Sequence, residues 1–72
     1  MNEVKESKYL PHQQRVLDEK SDLDEKLVRL ELFIKGSPIF NGLSEHGQDQ
    51  LKRQRVAMTE YSDILAERIA DF

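Results

Sequence analysis

Apolar side chains recur at three- and four-residue steps over residues 11–35, as Val16, Leu23, Leu27, Leu30, Phe33 and Ile34. That spacing gathers them on one face of a helix. Taking Val16, Leu23 and Leu30 as column a of a heptad puts His12, Glu19, Lys26 and Phe33 in column d. A coiled-coil seam is ordinarily apolar in both columns, so polar groups in d give up stability for register or function. Leu17, Val28 and Leu32 lie off the seam and predict a second, weaker apolar face. Glu25–Arg29 and Glu31–Lys35 are acid-first pairs at i,i+4, the favourable order on a helix. Pro11 suits the first helical turn and biases Leu10 away from helix. Gly36 is the expected left-handed stop, with Pro38 just beyond.

The connector GSPIFNGLS is rich in apolar residues. Ser37-Pro38 can start a short helical turn and Asn41-Gly42 can end it, while Ile39, Phe40 and Leu43 are expected to plug one end of a hairpin. Ser44 is a candidate N-cap for a second helix, with Glu45 favourably placed in its first turn. Leu51, Met58, Leu65 and Phe72 then repeat every seventh residue, and the matching column reads Gln54, Tyr61 and Arg68. The predicted fold is all-α: an antiparallel two-helix hairpin over about residues 11–35 and 45–71. Residues 1–8 are expected to be a flexible N-terminus and residues 9–72 one domain. With the turn near Gly42, positions whose numbers add to about 85 should face each other in such an antiparallel hairpin. That pairs Lys26 with Met58 and Leu23 with Tyr61, and sets Arg68 near Val16 and Glu19 and His12 near Phe72.

Composition narrows the picture. Seventy-two residues, 35% of them charged and 38% hydrophobic, cannot bury a thick core. The apolar positions off the seam need further cover, which predicts a homo-oligomeric helical bundle; dimer, tetramer and hexamer are all compatible. A net charge of −3 argues against nucleic acid as partner. There is no cysteine, no apolar run long enough to span a membrane, and no apolar signal-peptide core in MNEVKESK, so a cytoplasmic protein is expected.

Three clusters carry candidate chemistry. His12, Glu19, Lys26, Gln54, Tyr61 and Arg68 form a polar group in the expected seam. It reads either as a register-fixing layer with a Glu19–Arg68 salt bridge, or as a pocket between protomers whose Arg and Lys donors and stacking Tyr suit an anionic, nucleotide-like ligand. Tyr9, His12, Gln13 and Arg15 stand at the start of the first helix, where backbone N–H groups favour anions; the alternative is that His12 and Gln13 satisfy first-turn groups. Lys52, Arg53 and Arg55 are a basic triplet, either a solvated face with Asp49 as partner or a phosphate contact. Glu19 and Gln54 are assigned to the structural seam, and Tyr9, His12, Gln13, Arg15, Lys26, Tyr61 and Arg68 to ligand binding. No glycine-rich phosphate loop, metal-ligand spacing or nucleophile elbow occurs, so neither enzyme, metal nor cofactor is expected.

The runs HQQRVLDEKSDLDEKL, RLELFI, GSPIF and QLKRQRVAMTEYSDILAERI resemble a group of small bacteriophage and prophage helical proteins. That resemblance places His12, Gln13, Arg15, Glu19, Lys26, Phe33, Gln54, Met58, Tyr61 and Arg68 at matching positions over about residues 9–72. It implies a phage origin and a small helical accessory protein, with no reaction attached. In size and architecture alone, the chain is similar to the helical-hairpin sponges with which phages sequester cyclic-nucleotide or ADP-ribose-type immune signals. Their pocket motifs do not align here, so that similarity assigns no site residue. The function expected is non-enzymatic counter-defence or host takeover in an infected bacterium, by capturing a nucleotide signal or blocking a host defence protein. The alternative is a structural coiled-coil adaptor without a small-molecule ligand.

Overall fold

Leu10 is extended (φ −68°, ψ 158°), as a residue before proline should be, and Pro11 opens helix α1, Pro11–Gly36. The Leu10 N–H donates to Oε1 of Gln13 at 2.9 Å, so the glutamine side chain closes the helix start. This computed structural model describes residues 8–72; of the expected flexible segment 1–8, all but Lys8 lie outside the described residues. Gly36 is the last residue of α1 and does not adopt the left-handed stop expected of it. The helix ends instead because Ser37 is driven extended (φ −82°, ψ 128°) by the proline that follows.

The connector is itself helical. Ser37 Oγ accepts from the Ile39 N–H at 3.1 Å and starts α2, Pro38–Asn41, so the described residues form three helices, two of them long, rather than two. Ser44 then caps α3, Glu45–Ala70, its Oγ accepting from the Gly47 N–H at 3.1 Å. Of the three expected plugs only Phe40 is buried, edge-on to Phe33 with ring centroids 6.0 Å apart. Ile39 and Leu43 remain 69% and 37% exposed, because one turn of helix can turn only one of these side chains inward.

α1 and α3 pack antiparallel around Val16, Leu23 and Leu65, with Met58 and Ile69 against them. The first heptad column is as expected, but the second is displaced by one residue. On α1 the residues that join Val16, Leu23 and Leu30 in the interface are Gln13, Lys20, Leu27 and Ile34, all half-buried. On α3 they are Arg55, Ser62 and Ile69, beside Leu51, Met58 and Leu65. His12, Glu19, Lys26, Gln54, Tyr61 and Arg68 are exposed, so they are not the seam. The physical reason is the composition of the two alternatives. Turning each helix slightly brings Leu27, Ile34 and Ile69 out of water, whereas the other column would bury charges at a desolvation cost. Among the described residues no Glu19–Arg68 ion pair forms, and the Phe72 ring packs on Tyr9. The register itself stands, since Ser62 bonds to Asp24, one step from the facing position expected for it.

An antiparallel pair is related by a twofold axis normal to its plane, so residues with the same offset from the seam share one face. His12, Glu19 and Lys26 directly precede the seam column of α1, and Gln54, Tyr61 and Arg68 directly precede that of α3. These six polar residues therefore line one broad face of a plate whose smallest extent, 13 Å, is about one helix diameter.

Candidate functional site

The polar residues that do occupy the seam form one layer across it. Lys20 Nζ lies 2.6 Å from Oδ2 of Asp24, and Ser62 Oγ donates to Oδ1 at 2.5 Å. The ammonium first, and then the hydroxyl, hold the Asp24 carboxyl below its usual range, against a smaller opposing effect of burial. Every oxygen of this carboxylate has a partner inside the chain, and Ser62 is buried. The layer therefore fixes register, as a polar group in an apolar interface can. Neither Lys20, Asp24 nor Ser62 was expected in this role. Lys20 falls in the column that Leu27 and Ile34 mark, four residues after Val16, Leu23 and Leu30, and Ser62 in the matching column of α3, which Ile69 marks; Asp24 directly follows Leu23 and carries no such signal.

The residues expected to bind a ligand divide into two groups. His12 and Lys26 are fourteen residues apart on one helix, roughly 21 Å along its axis, too far to hold one small molecule together. Lys26 and Tyr61 sit near mid-hairpin, both exposed, on the common polar face. The second group lies at the open end, where the start of α1 and the end of α3 come together. There the Tyr9 and Phe72 rings pack edge to face at 6.2 Å and 65°. His12 and Arg15 follow Tyr9 on the first turns of α1, both exposed, and Arg68 precedes Phe72 by one helical turn on α3. Among the described residues, neither Arg15 nor Arg68 is held in an ion pair. Gln13, also assigned to the ligand, has its carbonyl oxygen committed to Leu10. Phe72, which carried no chemical assignment, packs on Tyr9, and His12, Arg15 and Arg68 each lie within two helical turns of one of these rings along the chain.

The basic triplet also divides. Arg55 is half-buried beside Glu31, Ile34 and Lys35 in a shallow groove, whereas Lys52 and Arg53 face outward. Arg53 Nε bonds Oδ2 of Asp49 at 2.9 Å, the i,i+4 partner its spacing predicts. Among the described residues, no three side chains of His, Cys, Asp and Glu converge on a metal position, and no helix is long and apolar enough to cross a membrane.

No curated protein and no solved structure shows significant similarity to the chain. A family model does match, over residues 10–71, nearly the whole of the two long helices and the connector between them. The chain belongs to the Sequestin family, a name that points to a sequestering, binding role rather than a catalytic one.

Proposed function

We propose that this protein sequesters a small anionic nucleotide signal, of the cyclic-nucleotide or ADP-ribose type, at the open end of its hairpin. It would act in the cytoplasm of a phage-infected bacterium, as a non-enzymatic counter to host defence, and as a homo-oligomer. The observation that supports this reading is the Tyr9–Phe72 ring pair, which brings the residues just before α1 against those just after α3, with His12, Arg15 and Arg68 on the adjoining turns. An aromatic face can stack a base, and arginine donors match phosphate oxygens in a way that a point charge does not. His12, Arg15 and Arg68 are the donors assigned to the phosphate groups, and Tyr9 with Phe72 to the base. Lys26 and Tyr61 offer a second, weaker contact on the same face.

Self-association follows from the exposed apolar surface. Among the described residues, four large apolar side chains are buried but nine remain exposed, among them Leu10, Val28, Leu32, Val56 and Ile64. A second copy covering part of that surface would stabilise both.

Thermal melts against cyclic dinucleotides, cyclic mononucleotides and ADP-ribose test the ligand. A ligand held by the native state raises the melting temperature by mass action, and Arg68→Ala should abolish the rise. No shift across the panel, with one host protein retained in a pulldown, would replace this reading with a protein-directed inhibitor. Neither a shift nor a captured protein would leave an oligomeric adaptor.

A further inference from the structure

The broad face opposite His12, Glu19, Lys26, Gln54, Tyr61 and Arg68 is made by residues that directly follow the seam columns. On α1 they include Leu17, Val28 and Glu31, and on α3 Val56, Thr59, Ala66 and Ala70. Glu31, Arg55, Val56 and Thr59 line one groove, so the two sets share this face. Thr59 Oγ1 donates to the Arg55 carbonyl at 2.9 Å, which leaves its methyl to face outward. Asp24, the carboxylate at mid-face, is already held by Lys20 and Ser62. Counted outward from the Asp24–Ser62 bond, Leu17 stands level with Ala70 and Val28 with Thr59, a larger apolar group beside a smaller one each time. Leu32 and Val56, 63% and 60% exposed, stand within two residues of one level on the opposite edges of the face.

We infer that this face takes the same face of a second copy, turned about the long axis of the hairpin, in a four-helix bundle. That turn keeps every level and exchanges the helices, so α1 lies on the second copy's α3. Val28 then meets the second copy's Thr59, Leu17 its Ala70 and, at both edges, Leu32 its Val56. Width selects the occupant. A single helix about 10 Å across cannot cover Leu32 and Val56 together, whereas a second hairpin spans the full 26 Å. With a length of 51 Å, the face exceeds the roughly 800 Å² per partner that a stable interface buries. Charge does not oppose the pairing. Lys20, Lys35, Lys52 and Arg55 balance Asp24, Glu31, Glu60 and Asp63, and Glu31 comes level with the second copy's Arg55. Lys35 against the second copy's Lys52 is the unfavourable pair, at the closed end, where long stems carry both ammonium groups to solvent. The inference rests on the self-association proposed above and names the surface that carries it. It leaves the polar face and both open ends free.

The chain has no cysteine, so single cysteines report the contact directly. Val28→Cys chains mixed with Thr59→Cys chains should give a disulfide-linked dimer under mild oxidation, and neither variant alone should. Sedimentation velocity of the full chain over a concentration range supplies the second reading. Val28→Glu buries a carboxylate at two symmetric places and should weaken self-association about tenfold or more, whereas Gln54→Glu on the polar face should not. Circular dichroism verifies that each variant stays helical. A wild-type chain that is monomeric throughout would overturn both this inference and the proposed self-association. An oligomer indifferent to Val28→Glu or broken equally by Gln54→Glu, or a cysteine mixture that links no better than its components, would overturn this face alone.

Discussion

The two ends of the hairpin are built differently. At the closed end polar and aromatic groups of the connector satisfy one another. Phe40 is buried on Phe33, Ser37 and Ser44 cap the helices that follow them, and Gln48 Nε2 donates to the Phe40 carbonyl at 3.0 Å. At the open end the Tyr9 and Phe72 rings pack beyond the Val16, Leu65 and Ile69 contacts, and His12, Arg15 and Arg68 are exposed. The difference separates a structural end, whose groups satisfy one another, from an end whose donors remain available. Binding residues are found where a rigid scaffold leaves polar groups unspent.

The largest effect expected from breaking this contrast is Phe40→Ala. It opens a cavity at the closed end and should cost about 3–5 kcal/mol in chemical denaturation. Arg68→Ala at the other end should leave stability within about 0.5 kcal/mol of wild type, as an exposed change does. It should nonetheless weaken nucleotide binding on the order of tenfold in calorimetric titration. If Arg68→Ala destabilised the fold as Phe40→Ala does, the two ends would not be distinct in kind.

Gln48→Ala, which releases the connector carbonyls, should lower stability by about 1 kcal/mol and leave ligand affinity unchanged. Ser62→Ala probes the layer between the two ends. The Asp24 carboxyl is held below its ordinary range in the folded chain, so the stability it contributes is present above the unfolded carboxylate pKa. That contribution is lost as pH falls through the folded value. The melting-temperature gap between wild type and Ser62→Ala should therefore narrow below about pH 4. A gap independent of pH would remove Asp24 from the account. The smallest effect belongs to Glu19, a carboxylate on the same face as the cations. Glu19→Gln should tighten anion binding a few-fold, more at low salt than at high salt, since these groups are screened.

The sequence was most legible where one reading greatly exceeded its rivals. Pro11, Ser44 and the recurrence of Val16, Leu23, Leu51, Met58 and Leu65 define both long helices, and the antiparallel register follows from the short connector. The second interface column was ambiguous because residues three and four positions on share a helix face, and a turn of a few tens of degrees exchanges one set for the other. Counting Leu27, Ile34 and Ile69 decides between them; the heptad labels do not. Gly36 misled for a related reason, since proline chemistry at Ser37-Pro38 ended the helix before a left-handed glycine was required. Of the open-end cluster, Tyr9, His12, Arg15 and Arg68 are recognisable from residue type. The part played by Phe72 depends on the two termini meeting, which residue type alone does not reveal.

Amide chemical shifts followed during titration with ADP-ribose and with a cyclic dinucleotide compare the two ends in a single spectrum. The account predicts that shifts concentrate at Tyr9–Arg15 and Arg68–Phe72, with the amides from Ile39 to Gln48 unmoved. Shifts centred on the closed end, or an unchanged spectrum with every nucleotide, would contradict it.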